Sequence, residues 1–248
     1  MKIDLNCDMG ESFGHFRIGN DAEVMKYISS CNIACGYHGG DPLTIQHTIE
    51  FALQNGVKIG AHPAFYDMHG FGRREMFLTA AELSALIKYQ VSAIKGMTEA
   101  TGGKLHHVKP HGALYNMAAR DESMAAIIVQ AILSIDKTLV LYGPPESAMA
   151  KCAAKENLPY ANEVFADRNY NDDLSLVSRQ EKEALITDKQ EMFEHINRML
   201  SSGKVKTVTG NLKNVTADTV CIHGDQPEAA EVARALRTSL EHEGFEVG

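Results

Sequence analysis

The sequence predicts an α/β protein, and more narrowly a (β/α) barrel of seven parallel strands. Short apolar segments alternate seven times with segments of helical spacing, as in parallel strands joined by right-handed crossovers. Four of the eleven histidines directly follow an apolar strand, each beside glycine or proline. The carboxyl ends of parallel strands share one face, where sites are built. An open doubly wound sheet is the alternative, and residues 1–248 are expected to form one domain.

The strands are bounded by turn residues. The second begins at Asn32 and leads through a glycine-rich turn that carries His38. The third precedes a loop at residues 62–78, and loops of that length are commonly functional. A piece near residues 204–209 is ambiguous. The other strands are expected at Ile3–Cys7, Val57–Ala61, Leu105–Lys109, Thr138–Tyr142, Tyr160–Ala166 and Thr219–Ile222.

Capping residues place the helix starts. Asp41 and Pro42 fit the N-cap and first position of the helix after strand two. Asp21 is expected to cap a helix that runs to about Ser30. Three further starts are expected at the capping box Thr79–Glu82, at Asp121 and at residues 143–145. Ser178 and Glu181 are expected to form a second capping box, followed by a helix from about Lys189. A last helix is expected to begin at Asp225 and Pro227 and to end at Gly244.

Composition excludes several classes of protein. Lys plus Arg is 24 and Asp plus Glu is 32, which gives a net charge of −8 and argues against nucleic-acid and membrane partners. The N-terminus lacks an apolar signal region, and no segment approaches the ~20 apolar residues of a membrane span. The five cysteines form no Cys-x-x-Cys pair, so buried thiols in a reducing cytoplasm are expected.

Ionisable residues gather at the predicted strand ends. A single histidine there is commonly structural, and Asp41 and Asp225 also fit helix caps, but the whole set is expected to converge on one site. Neutral histidines and carboxylates are general bases near pH 7, and Lys109 with Arg168 can stabilise an oxyanion or a phosphate. The set is Asp8, Glu11, His38, Asp41, His62, Lys109, His111, Asp167, Arg168, His223 and Asp225.

These residues together fit hydrolysis at an acyl or amide carbon. A divalent metal is left open, because two histidines and a carboxylate make a hydrolytic metal site, although no local ligand spacing supports one. No Gly-x-Ser-x-Gly elbow, P-loop or Gly-x-Gly-x-x-Gly motif is present, which disfavours a serine hydrolase and the usual nucleotide loops. Arg73 and Arg74 are either solvated loop charges or part of a lid over an anionic substrate.

Eight sequence blocks resemble the LamB/YcsF family. They occur in order along nearly the whole chain, and Gly39 stands where that family often has alanine. The resemblance implies a seven-stranded β/α barrel of the glycoside hydrolase/deacetylase class. The blocks are Asp4–Ser12, Asn32–Gly36, His38–Pro42, Gly60–Pro63, Gly70–Arg74, Val108–Asn116, Phe165–Arg168 and His223–Asp225.

The resemblance also implies an activity: ATP-dependent hydrolysis of 5-oxoproline to glutamate, performed with two further proteins, the B and C subunits. An unactivated lactam is a poor electrophile, so we expect the partner subunits to activate it with ATP and this barrel to direct water. Two alternatives are a metal-dependent deacetylase or amidohydrolase that acts alone, and a binding subunit without catalytic residues.

Site roles follow from that division of labour. His38, His62 or His111 is expected to be the base, with Asp8 orienting it, and Lys109 and Arg168 are expected to hold the phosphate or the carboxylate. The full catalytic set is Asp8, Glu11, His38, His62, His111 and Asp167, and the substrate-binding set is Arg73, Arg74, Lys109, Arg168, His223 and Asp225.

Overall fold

The computed structural model describes residues 2–224 and 228–248. Within them, seven parallel strands form a closed barrel, which confirms the predicted fold class and excludes the open sheet. β1 (Lys2–Met9) closes the barrel because it pairs with both β2 (Ser30–Ala34) and β9 (Thr219–Ile222). The other barrel strands are β3 (Lys58–His62), β4 (Leu105–Val108), β5 (Val140–Gly143) and β6 (Tyr160–Phe165).

Three short strands and a set of helices complete the fold. β10 (Glu246–Val247) extends the sheet beside β1, and β7 (Lys204–Lys206) pairs antiparallel with β8 (Leu212–Asn214). The helices are α1 (Asp21–Val24), α2 (Pro42–Gln54), α3 (Ala80–Ala100), α4 (Gly112–Arg120), α5 (Glu122–Ile135), α6 (Ala148–Glu156), α7 (Lys189–Ser202) and α8 (Ala229–His242). None of the described helices is both long and apolar enough to cross a membrane.

Several predicted helix starts are confirmed. The Asp41 carboxylate accepts hydrogen bonds from the amides of Leu43 and Thr44 at the start of α2. Thr79 and Glu82 form the predicted capping box of α3, and Asp121 caps α5. The predicted cap at Asp225 and Pro227 lies outside the described residues.

Other local predictions were wrong. Asp21 does not cap a helix to Ser30: its carboxylate accepts a hydrogen bond from the Gly10 amide, α1 ends at Val24, and β2 begins soon afterwards. Ser178 and Glu181 form no capping box, since the Glu181 amide bonds to the Ser178 carbonyl and only a 3-10 turn, Lys182–Ala184, follows.

Two more boundaries differ from the sequence prediction. α6 begins after Ser147, which caps it, rather than at residues 143–145. No helix is predicted between His111 and Asp121, where the structure has α4. The ambiguous piece near residues 204–209 contains β7. These errors fall where turn geometry and tertiary contacts outweigh local residue preference.

The interior of the barrel is polar. Along β1, alternate residues face opposite sides of the sheet, so Ile3, Leu5, Cys7 and Met9 join the apolar core. The intervening Asp4, Asn6 and Asp8 make hydrogen bonds with side chains of other barrel strands: Ser30, Asn32, Lys109, Glu163 and Thr219. Buried polar groups need such partners, and this network fixes the relative register of the strands.

We expect Gly60→Ala to destabilise the protein, because a Cβ at this position on β3 would lie 2.1 Å from Nε2 of His107. Overpacking of this kind costs about 1–3 kcal/mol, measured as the free energy of unfolding in urea. Gly96→Ala, in an open part of α3, is the matched control and should gain about 0.5–1 kcal/mol through helix propensity. Equal stability of Gly60→Ala and the unmodified chain would contradict the packing described.

Candidate functional site

The strand ends converge on a cavity at the carboxyl end of the barrel. Its volume is about 870 Å³. Most of the predicted site residues reach it or lie directly beneath it. Those that line it are Asp8, His62, Arg73, Lys109, His111, Arg168 and His223. Asp225 lies outside the described residues, and Arg74 pairs with Asp67 in the loop after β3.

Four residues form what we call the histidine cluster: Glu11, His38, His62 and His111. His62 and His111 line the cavity. All four are buried, and one potential ligand atom of each lies within 4.8 Å of the others. The rings of His38 and His111 stack with their centroids 3.8 Å apart, and His38 Nε2 lies 3.1 Å from Glu11 Oε1. Strand-end placement after β1, β2, β3 and β4 brings these residues together, as the sequence predicts.

Hydrogen bonds fix the tautomers of two cluster histidines. Nδ1 of His62 lies 2.7 Å from the carbonyl oxygen of Lys109, and Nε2 of His111 lies 2.8 Å from that of Phe71. A carbonyl oxygen only accepts, so each of these nitrogens carries its proton. The other two nitrogens, His62 Nε2 and His111 Nδ1, are 2.9 Å apart. In neutral rings, both would present lone pairs to each other.

Facing lone pairs require a proton or a cation near them. Burial, and then the neighbouring histidines, lower the pKa of His111 well below its usual value, which disfavours an added proton. The pKa of His38 is also lowered well below its usual value, mainly by burial, and its buried Nδ1 has no hydrogen-bond partner among the described residues. Imidazole nitrogens and a carboxylate in this arrangement fit a divalent cation such as Zn²⁺.

The backbone contacts of the rings support the same interpretation. Metal-binding histidines commonly donate their second N–H to a carbonyl or carboxylate, which fixes ring orientation. The carbonyl of Phe71 makes this contact with His111. It belongs to the glycine-rich loop after β3, where Gly72 approaches so closely that a Cβ would lie 2.7 Å from the His111 ring. The loop therefore forms a wall of the cluster.

A buried chain of charges runs beneath the cavity. Lys109 Nζ lies 2.9 Å from Asp8 Oδ1 and 2.9 Å from Glu163 Oε1. Burial opposes the charge of Lys109, but Asp8, Cys221 and Glu163 outweigh it and raise the lysine pKa well above its usual value. Burial likewise opposes the Asp8 charge, yet His62 and Lys109 keep the Asp8 pKa well below its usual value. Both groups are therefore charged at neutral pH.

A second pair lies across the cavity. His223 Nδ1 is 2.8 Å from Asp167 Oδ2, and burial of Asp167 is outweighed by His223, which keeps the Asp167 pKa below its usual value. The Arg168 guanidinium donates to the carbonyls of Val177 and Ala184. Burial is the main reason that its pKa falls to about 10. Arg168 thus ties down the loop that follows β6 as well as lining the cavity.

Sequence reasoning missed two residues of this cavity, Tyr115 and Glu163. Tyr115 lies one helical turn after His111 on α4, inside a block that carried the family resemblance. Glu163 is a charged residue within the apolar strand β6, where it is 1% exposed. A carboxylate inside a buried strand was the available signal, since such groups are almost always paired.

Known proteins resemble this chain over its full length. The LamB/YcsF family model matches residues 3–248. The chain belongs to the LamB/YcsF family. Among relatives, the 5-oxoprolinase A subunit of Bordetella pertussis is 49% identical, covering 99% of this chain and 97% of that protein. The protein of the same name from Heliobacterium modesticaldum is 50% identical, with coverage of 100% and 97%.

Solved structures agree with this family assignment. The lactam utilization protein from Thermus thermophilus is 44% identical, with a TM-score of 0.93 over 100% of this chain and 99% of that one. A family 4 carbohydrate esterase from Streptomyces lividans has a TM-score of 0.53 at 10% identity, over 100% and 91% of the two chains. The second likeness concerns the fold alone.

The histidine cluster should bind one divalent cation per chain. After chelator treatment, we expect calorimetric titration of the full chain with Zn²⁺ to show one site, because three imidazoles and a carboxylate converge. His62→Ala and His111→Ala should each weaken binding at least tenfold, since loss of even a supporting contact costs 10- to 100-fold. His69→Ala, at an exposed loop position, is the control. Equal affinity in all variants would contradict the site.

Stability of the metal-free chain should fall as pH drops below about 6.5. The pKa values of His38, His107 and His111 are lowered, chiefly by burial, so the unfolded chain binds more protons in that range. Each such histidine contributes a slope of about 1.4 kcal/mol per pH unit. Urea unfolding between pH 7.5 and 5.5 measures it. His107→Gln should reduce the slope, whereas exposed His15→Gln should not, and a flat profile would contradict the burial of neutral rings.

Proposed function

We propose that this chain is the A subunit of an ATP-dependent 5-oxoprolinase, which hydrolyses 5-oxoproline to glutamate. The names of the relatives support this proposal, as does the likeness to a lactam utilization protein. The observation that carries a catalytic role for this chain is the pair of facing nitrogens of His62 and His111, 2.9 Å apart beside the charged Asp8. Such an arrangement can accept a proton from water or hold a cation that would lower the pKa of bound water.

The chemistry explains the need for ATP. The amide of a five-membered lactam is a weak electrophile, and phosphorylation of its oxygen would make the ring carbon reactive towards water. None of the common nucleotide-binding loops occurs in this sequence, so we assign ATP and the activation step to the two partners, the B and C subunits. This barrel holds the lactam ring and, once the ring oxygen is phosphorylated, directs water to the ring carbon. The C–N bond then breaks as the nitrogen takes a proton, and a second water releases phosphate from the resulting acyl phosphate to give glutamate.

Roles for the residues follow from their contacts. A cluster histidine, His62 or His111, takes the proton of the attacking water, and Asp8, 3.4 Å from Nε2 of His62, favours the resulting positive charge. Lys109 and Arg168 provide positive charge on the cavity floor and wall for the carboxylate or phosphate of the substrate. Glu11 and His38 complete the cluster. With a divalent cation bound, the cluster histidines would serve as its ligands, and the cation would lower the pKa of water in place of a histidine base.

The remaining predicted site residues have supporting roles in this proposal. Asp167 holds His223 in place through their hydrogen bonds. The guanidinium group of Arg73 adds a positive charge to the cavity lining. Arg74 stabilises the loop through Asp67. Asp225, two positions after His223 in the sequence, is assigned to substrate binding on the family resemblance.

A metal-dependent hydrolase that acts alone is the second candidate function. The histidine cluster favours it, because three imidazoles and a carboxylate around one point are a sufficient hydrolytic metal site. The two candidates differ in what they require: the first needs ATP and partner subunits, and the second needs only metal. Among the described residues, the buried Nδ1 of His38 has no hydrogen-bond partner. An unpaired buried group is costly, so it supports both hydrolytic functions better than that of a binding protein without catalytic residues.

Glutamate release from 5-oxoproline and ATP separates these functions. We expect activity when the chain is mixed with candidate B and C subunits, and none with the chain alone. Within the complex, His111→Ala should lower kcat by about 10²- to 10⁴-fold, the usual contribution of a general base. The control, His47→Ala on the exposed face of α2, should retain full turnover.

Two results would contradict the proposal. Near-normal turnover of His111→Ala, with an unchanged unfolding midpoint, would remove the role assigned to this residue. Absence of glutamate in every mixture, together with metal-dependent hydrolysis of acetylated substrates by the chain alone, would favour the second candidate.

A further inference from the structure

In the described part of the chain, two buried polar atoms near the cavity have no well-formed hydrogen bond. Tyr115 on α4 and Glu163 on β6 both line the cavity and are 4% and 1% exposed. Among the described residues, neither the Tyr115 hydroxyl nor Oε2 of Glu163 makes a hydrogen bond of normal geometry. The two side chains do contact each other, since Glu163 raises the phenol pKa through its charge and through a side-chain hydrogen-bond contact. Folded proteins leave few buried polar atoms unpaired, and each of them requires an explanation. Two neighbouring ones in one cavity point to a ligand.

The two atoms have complementary hydrogen-bonding character. Glu163 Oε1 accepts from Lys109 Nζ at 2.9 Å and from Asn6 Nδ2 at 3.0 Å, which leaves Oε2 as the oxygen that can accept a further hydrogen bond. Burial, and then the charge of Glu163, raise the pKa of the Tyr115 phenol well above its usual value. The phenol therefore stays protonated and is a donor. A ligand that satisfies both must present a donor and an acceptor side by side.

We propose that Tyr115 and Glu163 recognise the amide edge of a lactam, with Tyr115 donating to the carbonyl oxygen and Glu163 accepting from the ring N–H. In a small lactam the amide is cis, so its N–H and C=O lie on the same edge of the ring. An open-chain amide is trans and presents them on opposite sides. The pair would thus select cyclic amides. The choice of lactam rests on the proposed function.

The position of the pair agrees with the chemistry described above. Lys109 joins the Glu163 carboxylate to Asp8, so the amide edge would lie beside the groups that direct water. α4 places Tyr115 one turn from His111. The Tyr115 ring packs edge-on against the Phe165 ring, with the two centroids 5.9 Å apart. Both atoms have almost no solvent-accessible surface, so cavity side chains would have to move for a lactam to reach them.

The test compares two ligands that differ at one atom. 5-Oxoproline has a ring N–H, whereas its lactone analogue, 5-oxotetrahydrofuran-2-carboxylate, has a ring oxygen that can only accept. Binding of each to the full chain is measured by calorimetry. The unmodified chain should bind the lactam at least tenfold more tightly, because an acceptor facing an acceptor leaves both atoms unpaired.

The variants separate the two contacts. Tyr115→Phe should weaken both ligands alike, by about tenfold, because both have the carbonyl. Glu163→Gln should weaken the lactam by about tenfold or more and leave the lactone unchanged or tighter, because the carboxamide can donate to the ring oxygen. Tyr160→Phe is the control, since Tyr160 does not line the cavity and its hydroxyl bonds to the Pro144 carbonyl. This variant should change neither affinity.

Other outcomes would overturn the inference. Lack of lactam binding by the unmodified chain, equal affinity for the two ligands, or equal effects of Glu163→Gln on both would show that the pair bonds only to itself or to a structural water. If Glu163→Gln fails to fold, the lactam preference of the unmodified chain and the result for Tyr115→Phe still decide.

Glutamate release by the unmodified complex is measured in parallel. Selective lactam binding without glutamate release would contradict the proposed function and leave the pair in place. Glutamate release without selective binding would contradict the pair alone.

Discussion

The Lys109 ammonium at the centre of the barrel is the constraint on which the site depends. An unpaired charge at 2% exposure would cost several kcal/mol, and loss of one partner of such a pair is strongly destabilising. Asp8 on β1 and Glu163 on β6 provide the two carboxylates. Since the three groups come from different strands, their pairing requires one register of the barrel. The same pairing separates two parts of the site: the histidine cluster lies beside Asp8, and Tyr115 lies beside Glu163.

This separation gives the two sides of the cavity different chemistry. On the Asp8 side, an imidazole nitrogen of His62 faces one of His111, and the pair can take a proton or hold a cation. On the Glu163 side, a phenol and a carboxylate offer one donor and one acceptor without covalent reactivity. A hydrolase needs both functions, because water must be activated at one face of a carbonyl group while the substrate is oriented. Lys109 holds the two sides at a fixed distance from each other.

The sequence predicts which residues lie at the strand ends better than it predicts which side chains meet inside the barrel. His62 and His111 are predictable because the carboxyl ends of parallel strands must share a face. Tyr115 was missed because α4 has no capping side chain, as His111 at its N-cap makes no side-chain cap bond. Glu163 was missed because the register of the strands decides which side chains meet inside a barrel. That register depends on all the strands together. The helix predicted at Asp21 was wrong for a related reason. Its carboxylate accepts a hydrogen bond from the amide of Gly10, just beyond the end of β1, which is a tertiary contact.

The size of the cavity bears on how the site works. Ligand sites usually bury most of the ligand surface, but a five-membered lactam would occupy only a small part of about 870 Å³. Water in the remaining space would weaken the electrostatic interactions of Lys109 and Asp8 with the substrate. A larger activated substrate, or a partner surface that closes the cavity, would exclude that water. This requirement favours a composite enzyme over a hydrolase that acts alone on the free lactam.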